Sequence, residues 1–309
     1  MHKTSIGGQA LIEGILMRGP EKVSIAVRKP NGEIDLKVEE SLPLNKKNKI
    51  LSLPIIRGML GLIDSLKIGM SALMYSAEFF DENPEDDKKE GKDSLFNRIF
   101  KEKSEDVAMG LTVFLSIAIA IGVFMILPNF LTNLFANRVE SSVFLNLIEG
   151  IIRIFIFFLY IVWVSKLEDV RRVFEYHGAE HKSIHAYENG VPLTVDNVKK
   201  FSILHPRCGT SFLFMVMIVS IIVLSFFGWP NPVMRVVTRI VMLPVIAGIS
   251  YEINRFIGKS NSKLCYYLSY PGLMIQKYAT VKEPDESQIE VAIKALEAVI
   301  PENKEADLW

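Results

Sequence analysis

Four long apolar runs constrain this chain more than any other feature. Val107–Leu127 carries no charge at all. Val143–Ser165 is interrupted only by Glu149 and Arg153, and Phe212–Trp229 is again uncharged. Val233–Ile253 carries Arg235, Arg239 and, near its end, Glu252. Each run is close to the ~20 residues that cross about 30 Å of hydrocarbon. A buried helix of a soluble core is the alternative for one such run, but four in 309 residues exceed what a soluble core holds. The mean hydropathy of +0.26 points the same way. The expected fold is mainly α: a polytopic helical membrane protein with about four transmembrane helices between residues 107 and 259.

Charge sets the orientation. Lys88, Lys89, Lys92, Arg98, Lys101 and Lys103 precede the first run. The segment 128–142 has only Arg138, whereas 166–211 holds Lys166, Arg171, Arg172, Lys182, Lys199, Lys200 and Arg207. The turn Pro230-Asn231-Pro232 has no basic residue, and Arg255, Lys259 and Lys263 follow the fourth run. Basic loops stay in the cytoplasm, so both termini and the 166–211 loop are expected inside. Met1–Gln9 has no apolar core of a signal peptide, so targeting is expected to come from the internal segments.

Other classes are excluded or bounded. Thirty-five basic residues balance 35 acidic ones, so the basic stripe of a nucleic-acid binder is missing. Two distant cysteines give no disulfide framework.

The flanking regions divide at 54, 80, 106 and 259. Residues 1–54 combine a Gly-rich stretch, 5–20, expected to be a tight loop, with a small β-hairpin. In that hairpin, Val23–Val27 and Glu33–Val38 alternate around Pro30-Asn31-Gly32. Residues 55–80 suggest an amphipathic interfacial or re-entrant helix, with Arg57, Asp64, Lys67, Ser71 and Glu78 in one narrow arc. Residues 81–106 are a mixed-charge linker. In 260–309, Asp285 and Gln288 form a capping-box pattern before the apolar stripe Ile289, Ile293, Leu296 and Ile300. That stripe marks an amphipathic docking helix, a face for a second copy or for another protein.

Four of the five histidines lie between residues 177 and 205. On a helix at about 100° per residue, His177, His181, His185 and Glu188 share an arc of about 80°, with Glu180 at its flank. Imidazoles one turn apart can reach a single metal ion, and a neighbouring carboxylate can act as ligand or general base. The order His177-Gly178-Ala179-Glu180-His181 is that of the inverted zinc-hydrolase motif. His205 and Cys208 add an imidazole and a thiol just before the third run, and Glu252 lies at the inner end of the fourth. The candidate metal ligands are therefore His177, His181, His185, His205, Cys208 and Glu252, with Glu180 as the candidate catalytic base. Zinc ranks first and iron second. A solvated polar face and an inert buried thiol are the plain alternatives. Inside the membrane runs, Glu149 is expected to pair with Arg153, one turn away, or with Arg239, as a structural ion pair.

The segments Gly7–Pro20, Tyr176–Lys182, His205–Ser211 and Glu283–Ile293 together resemble the YqhQ-like family of bacterial integral membrane proteins. The resemblance spans nearly the whole chain. It implies a multi-pass protein of the bacterial cytoplasmic membrane and, through the family's label, a metal-dependent enzyme; it names no reaction. Two functions follow as expectations. One is a zinc-dependent hydrolase at the cytoplasmic face, acting on a membrane peptide or a lipid-linked ester or amide. The other is a non-enzymatic membrane scaffold, metal sensor or transporter component.

Overall fold

The computed structural model describes residues 3–41, 48–80, 104–260, 262–303 and 306–308. Most of the charged linker, 81–103, lies outside the described residues. Contacts divide the chain into two units, one of residues 1–80, 158–223 and 240–309, the other of residues 81–157 and 224–239.

The first unit is built on a four-stranded antiparallel sheet in sequential order: β1 Gly7–Leu11, β2 Gly14–Arg18, β3 Lys22–Arg28 and β4 Ile34–Glu40. The expected hairpin is β3–β4. The Gly-rich stretch is not a loop but a second hairpin, β1–β2, paired from Gly7–Arg18 to Leu11–Gly14. Its alternation was hard to see because both sheet faces are covered, so polar residues do not mark an outer face. Ile15, Met17 and Ala26 point to one side, where they meet Tyr176 and Ala179 of helix α5 (Glu168–Glu188) and Ile289, Ala292 and Leu296 of helix α10 (Glu286–Glu297). Leu11, Leu16, Val23, Ile25 and Val27 point to the other, against Ala72 of helix α1 (Ile56–Ala77). Successive residues thus serve opposite layers, as a period of two requires. Burying each large apolar side chain fully contributes roughly 1.5–3 kcal/mol.

α10 begins as expected. The Asp285 side chain accepts from the Gln288 N–H and the Gln288 side chain returns to Asp285. Ile289, Ile293 and Leu296 are buried in this chain's own core, with Ile300 packed against it. α1 turns small residues inward (Gly58, Gly69, Ala72, Ser76) and leaves Ile63, Leu66, Met70 and Met74 exposed. Two of its polar residues are spent on ion pairs: Arg57 with Glu252 and Asp64 with Arg18.

In the second unit, helix α2 (Ser104–Ile121) runs through a π-helical turn at Gly122–Ile126 into α3 (Leu127–Asn133). The first part of α4 (Ser142–Val164) and of α8 (Pro232–Lys259) belong here too. Glu149 pairs with both Arg153 and Arg239, so it serves the two expected partners at once.

Among the described residues, three helices are long and apolar enough to cross a membrane: Gly110–Asn133, Ser142–Val164 and Pro232–Lys259. They are the first, second and fourth of the expected crossings. The third run forms α7, Gly209–Ser225, a shorter apolar helix of 17 residues. Its apolar composition continues to Trp229, but the helix does not: Gly228 takes a left-handed φ of 68°, and Pro230 and Pro232 follow.

Candidate metal centre

α5 carries most of the site. It opens with Glu168 and Asp169 in its first turn, where carboxylates suit the helix dipole, and ends at Asn189-Gly190. One face, including Tyr176, Ala179, Ile184 and Ala186, is packed into the core. The face bearing His177, His181, His185 and Glu188 meets the segment 203–211 and the backbone near residue 280. Gly178 permits that approach. A β-carbon there would fall 2.0 Å from the Lys282 carbonyl oxygen, so only glycine lets the 280–284 backbone lie against the helix.

Among the described residues, two groups of side chains could hold a metal ion: His177, His181 and Cys208, and next to them His185, Glu188 and His205. Within each group the ligand atoms lie within 4.8 Å of one another. The groups adjoin, with the His181 and His205 rings 5.5 Å apart.

Proton bookkeeping separates the two. A carbonyl oxygen only accepts, so the ring nitrogen facing it must carry hydrogen. His177 donates from Nδ1 to Thr280 O at 3.0 Å, and His181 donates from Nδ1 to Ile203 O at 2.6 Å. Both rings are thereby fixed as Nδ1–H tautomers with the Nε2 lone pair available. His177 Nε2 lies 3.1 Å from Cys208 Sγ. Tetrahedral zinc would set a nitrogen and a sulfur ligand about 3.5 Å apart, so this pair needs little adjustment. Backbone carbonyls that orient ligating imidazoles are the usual outer support of a metal site. The donor set of two imidazoles and one thiol suits zinc.

The second group is differently committed. His205 Nδ1 accepts the Arg207 N–H at 3.3 Å, which places its proton on Nε2. That nitrogen is buried, has no hydrogen-bond partner among the described residues, and stands 3.8 Å from Glu188 Oε2. Glu188 Oε1 already receives Arg207 and the Thr4 N–H. A guanidinium beside the carboxylate opposes a further cation there.

Burial sets the electrostatics. It pushes His181 and His205 down to about 4, so both are neutral at pH 7 and able to ligate. Burial opposes thiolate formation at Cys208, but the neighbouring His181 and the Thr210 N–H and hydroxyl outweigh it and hold the thiol below its ordinary value. Burial also opposes ionisation of Glu188, but the contacts with His205, Arg207 and Thr4 prevail and hold it low. Glu180, beside His177 and Cys208, is pushed up to about 7, chiefly by burial. Its Oε1 accepts the Gly8 N–H of β1 at 2.9 Å. A β-carbon on Gly8 would meet the Glu180 carboxyl carbon at 3.0 Å and Leu16 O at 2.6 Å, so glycine lets the strand reach this carboxyl.

The structure thus brings together Glu180, His177, His181, His185, His205 and Cys208. It does not bring Glu252 to either group: that carboxylate is taken by Arg57, with Nε 2.7 Å from Oε1. The supporting residues escape sequence inspection. Thr280 and Ile203 act through backbone carbonyls, which every residue has. Gln276, wholly buried, both accepts from the His205 N–H and donates to its carbonyl, at 3.0 and 2.9 Å.

Comparison with known proteins agrees with the motif resemblance. The family model described as "Protein of unknown function (DUF1385)" matches residues 53–302. The chain is 33% identical to "Uncharacterized protein YqhQ" of Bacillus subtilis (strain 168) over 307 residues, which covers 95% of this chain and 92% of that protein. The chain belongs to the DUF1385 family. No solved structure matches it.

Proposed function

We propose that this DUF1385 member is a zinc-dependent hydrolase of the bacterial cytoplasmic membrane, with His177, His181 and Cys208 as metal ligands and Glu180 as general base. The observation that carries the reading is the pair of Nδ1–H donations to Thr280 and Ile203, which leave both Nε2 lone pairs for a metal beside Cys208. Three protein ligands leave a fourth position for water or substrate, the pattern of catalytic zinc sites. Bound zinc would supply Lewis acidity and bring proton loss from water into the neutral range.

The chain's own groups do the rest. Glu180 has its Oε1 held by Gly8, and Oε2 has no hydrogen-bond partner among the described residues. Oε2 is therefore the atom to take a proton from water and to return it to a leaving group. Gly8 acts as a positioning residue, because its N–H fixes the carboxyl plane. The partly exposed His177 marks the side of the centre nearest solvent.

The substrate class is a membrane peptide or a lipid-linked ester or amide. α5 starts four residues after α4 ends, and Cys208 directly precedes α7, so the ligands sit at the ends of apolar helices. The Lys/Arg asymmetry puts that plane at the cytoplasmic face, with both termini inside. α1, with its exposed apolar side, fits the membrane interface.

A non-enzymatic metal sensor or scaffold is the second reading. It is favoured by the depth of His181 and Cys208, at 1% and 6% exposure. Glu180→Gln decides between them. The amide is nearly isosteric and cannot accept a proton. An enzyme would keep its metal and lose its cellular function; a sensor would keep both.

A further inference from the structure

Among the described residues of the second unit, buried arginines gather around one carboxylate, and the metal site does not explain them. Glu149 is 1% exposed and receives Arg153 Nη2 on Oε1 at 2.6 Å and Arg239 on Oε2. Arg235 lies one turn before Arg239, on the same face of α8, and within electrostatic reach of Glu149. Among the described residues, Arg153 and Arg239 pair with Glu149, and Arg235 stands near it without an ion pair of its own. Arg235 and Arg239 are 3% and 5% exposed.

Among the described residues, no carboxylate but Glu149 pairs with Arg239, and none pairs with Arg235. Glu140 is solvent-exposed. Arg153 Nε also donates to the Phe124 carbonyl at 3.1 Å.

The unused donors are specific. Arg235 spends Nη2 on Asn133 Oδ1 at 3.2 Å and lays its guanidinium over the Trp229 ring, 3.9 Å from the centroid. Arg239 spends Nη2 on Glu149. Nε and Nη1 of both arginines are buried without a hydrogen-bond partner among the described residues. Nε and Nη1 point to different edges of one guanidinium, so each arginine offers single charged donors that the oxygens of a carboxylate or phosphate can accept. Buried cations in excess of their counter-ions are costly in an apolar segment and mark a functional site there.

We propose that Arg235 and Arg239 form a binding site for an oxyanion of the phosphate type, carried either by an anionic lipid headgroup or by a free ion. Arg153 and Glu149 set the local charge, and Trp229 holds the Arg235 plane. Arg235 lies within the first turn of α8, a depth at which a lipid phosphate can reach it. The site is independent of the metal centre, so failure of either reading leaves the other standing.

The test uses full-length, delipidated protein in a neutral detergent. Its thermal midpoint is followed against phosphatidylglycerol, inorganic phosphate and, as an uncharged control, diacylglycerol. The wild type should gain several degrees with phosphatidylglycerol or phosphate and none with diacylglycerol. A gain with the lipid alone assigns a headgroup site; a gain with phosphate as well assigns a free-oxyanion site.

Arg235→Gln removes one uncompensated charge. Without anion it should melt at or above the wild-type temperature, and its response to anion should need at least tenfold more ligand. A merely structural Arg235 predicts the opposite, a variant less stable in every condition with an unchanged anion response. That result, or a wild type that responds to neither anion, overturns the proposal.

Discussion

His177 reaches across 31 residues of sequence to place Nε2 3.1 Å from Cys208 Sγ, while its other ring nitrogen is held by the Thr280 carbonyl. One imidazole thus ties α5, the entrance to α7 and the backbone before α10 into a single centre. Its loss should remove the centre rather than loosen it.

His177→Ala, His181→Ala and Cys208→Ser should each lower zinc affinity by at least the 10–100-fold that loss of an outer-shell partner costs. His185→Ala should leave it within a few fold, because His185 belongs to the neighbouring group committed to Glu188 and Arg207. Competition titration against a chelating dye measures all four variants. Equal losses at His185 and His181 would merge the two groups into one site.

Gly178→Ala should destabilise the protein although it changes a single methyl group. The new carbon would lie 2.0 Å from the Lys282 oxygen, and that neighbour is backbone. Overpacking of this kind costs about 1–3 kcal/mol or more. Displacing the 280–284 backbone would also release His177 from Thr280, so zinc affinity should fall together with the melting temperature. A variant with wild-type stability would mean that the helix and the 280–284 backbone are further apart.

Glu149→Gln should cost about 3–5 kcal/mol, since it removes the carboxylate that compensates buried arginines. The melting temperature in detergent reads this directly. An unchanged midpoint with loss of cellular function would assign Glu149 to transport or chemistry instead of structure.

Much of this architecture was legible in the sequence, where a regular period coincides with one buried face. The His face of α5 and the capping box at Asp285 are of this kind, as is the pairing of Glu149 with arginines that have no water to turn to. The β1–β2 hairpin was hidden because Ile15 and Leu16 are both buried, on opposite faces, so the alternation of polarity is lost. Glu252 was placed with the ligands by its depth along the fourth run, but depth does not fix lateral position, and Arg57 claims it. The carbonyls of Thr280 and Ile203 carry no residue-specific signal at all.

Cysteine accessibility in intact cells tests the orientation. Single cysteines placed between residues 130 and 140 should react with an impermeant reagent from outside, and those between 190 and 200 should not. Labelling of the 190–200 set from outside would put the metal centre on the other face of the membrane.

The most direct test of the central claim is metal content and in-vivo complementation measured together on wild type, His181→Ala and Glu180→Gln, in full-length protein purified in detergent. The account predicts about one zinc per chain in the wild type and in Glu180→Gln, none in His181→Ala, and complementation by the wild type alone. Zinc retained in His181→Ala would contradict the metal centre, and full complementation by Glu180→Gln would contradict its catalytic role.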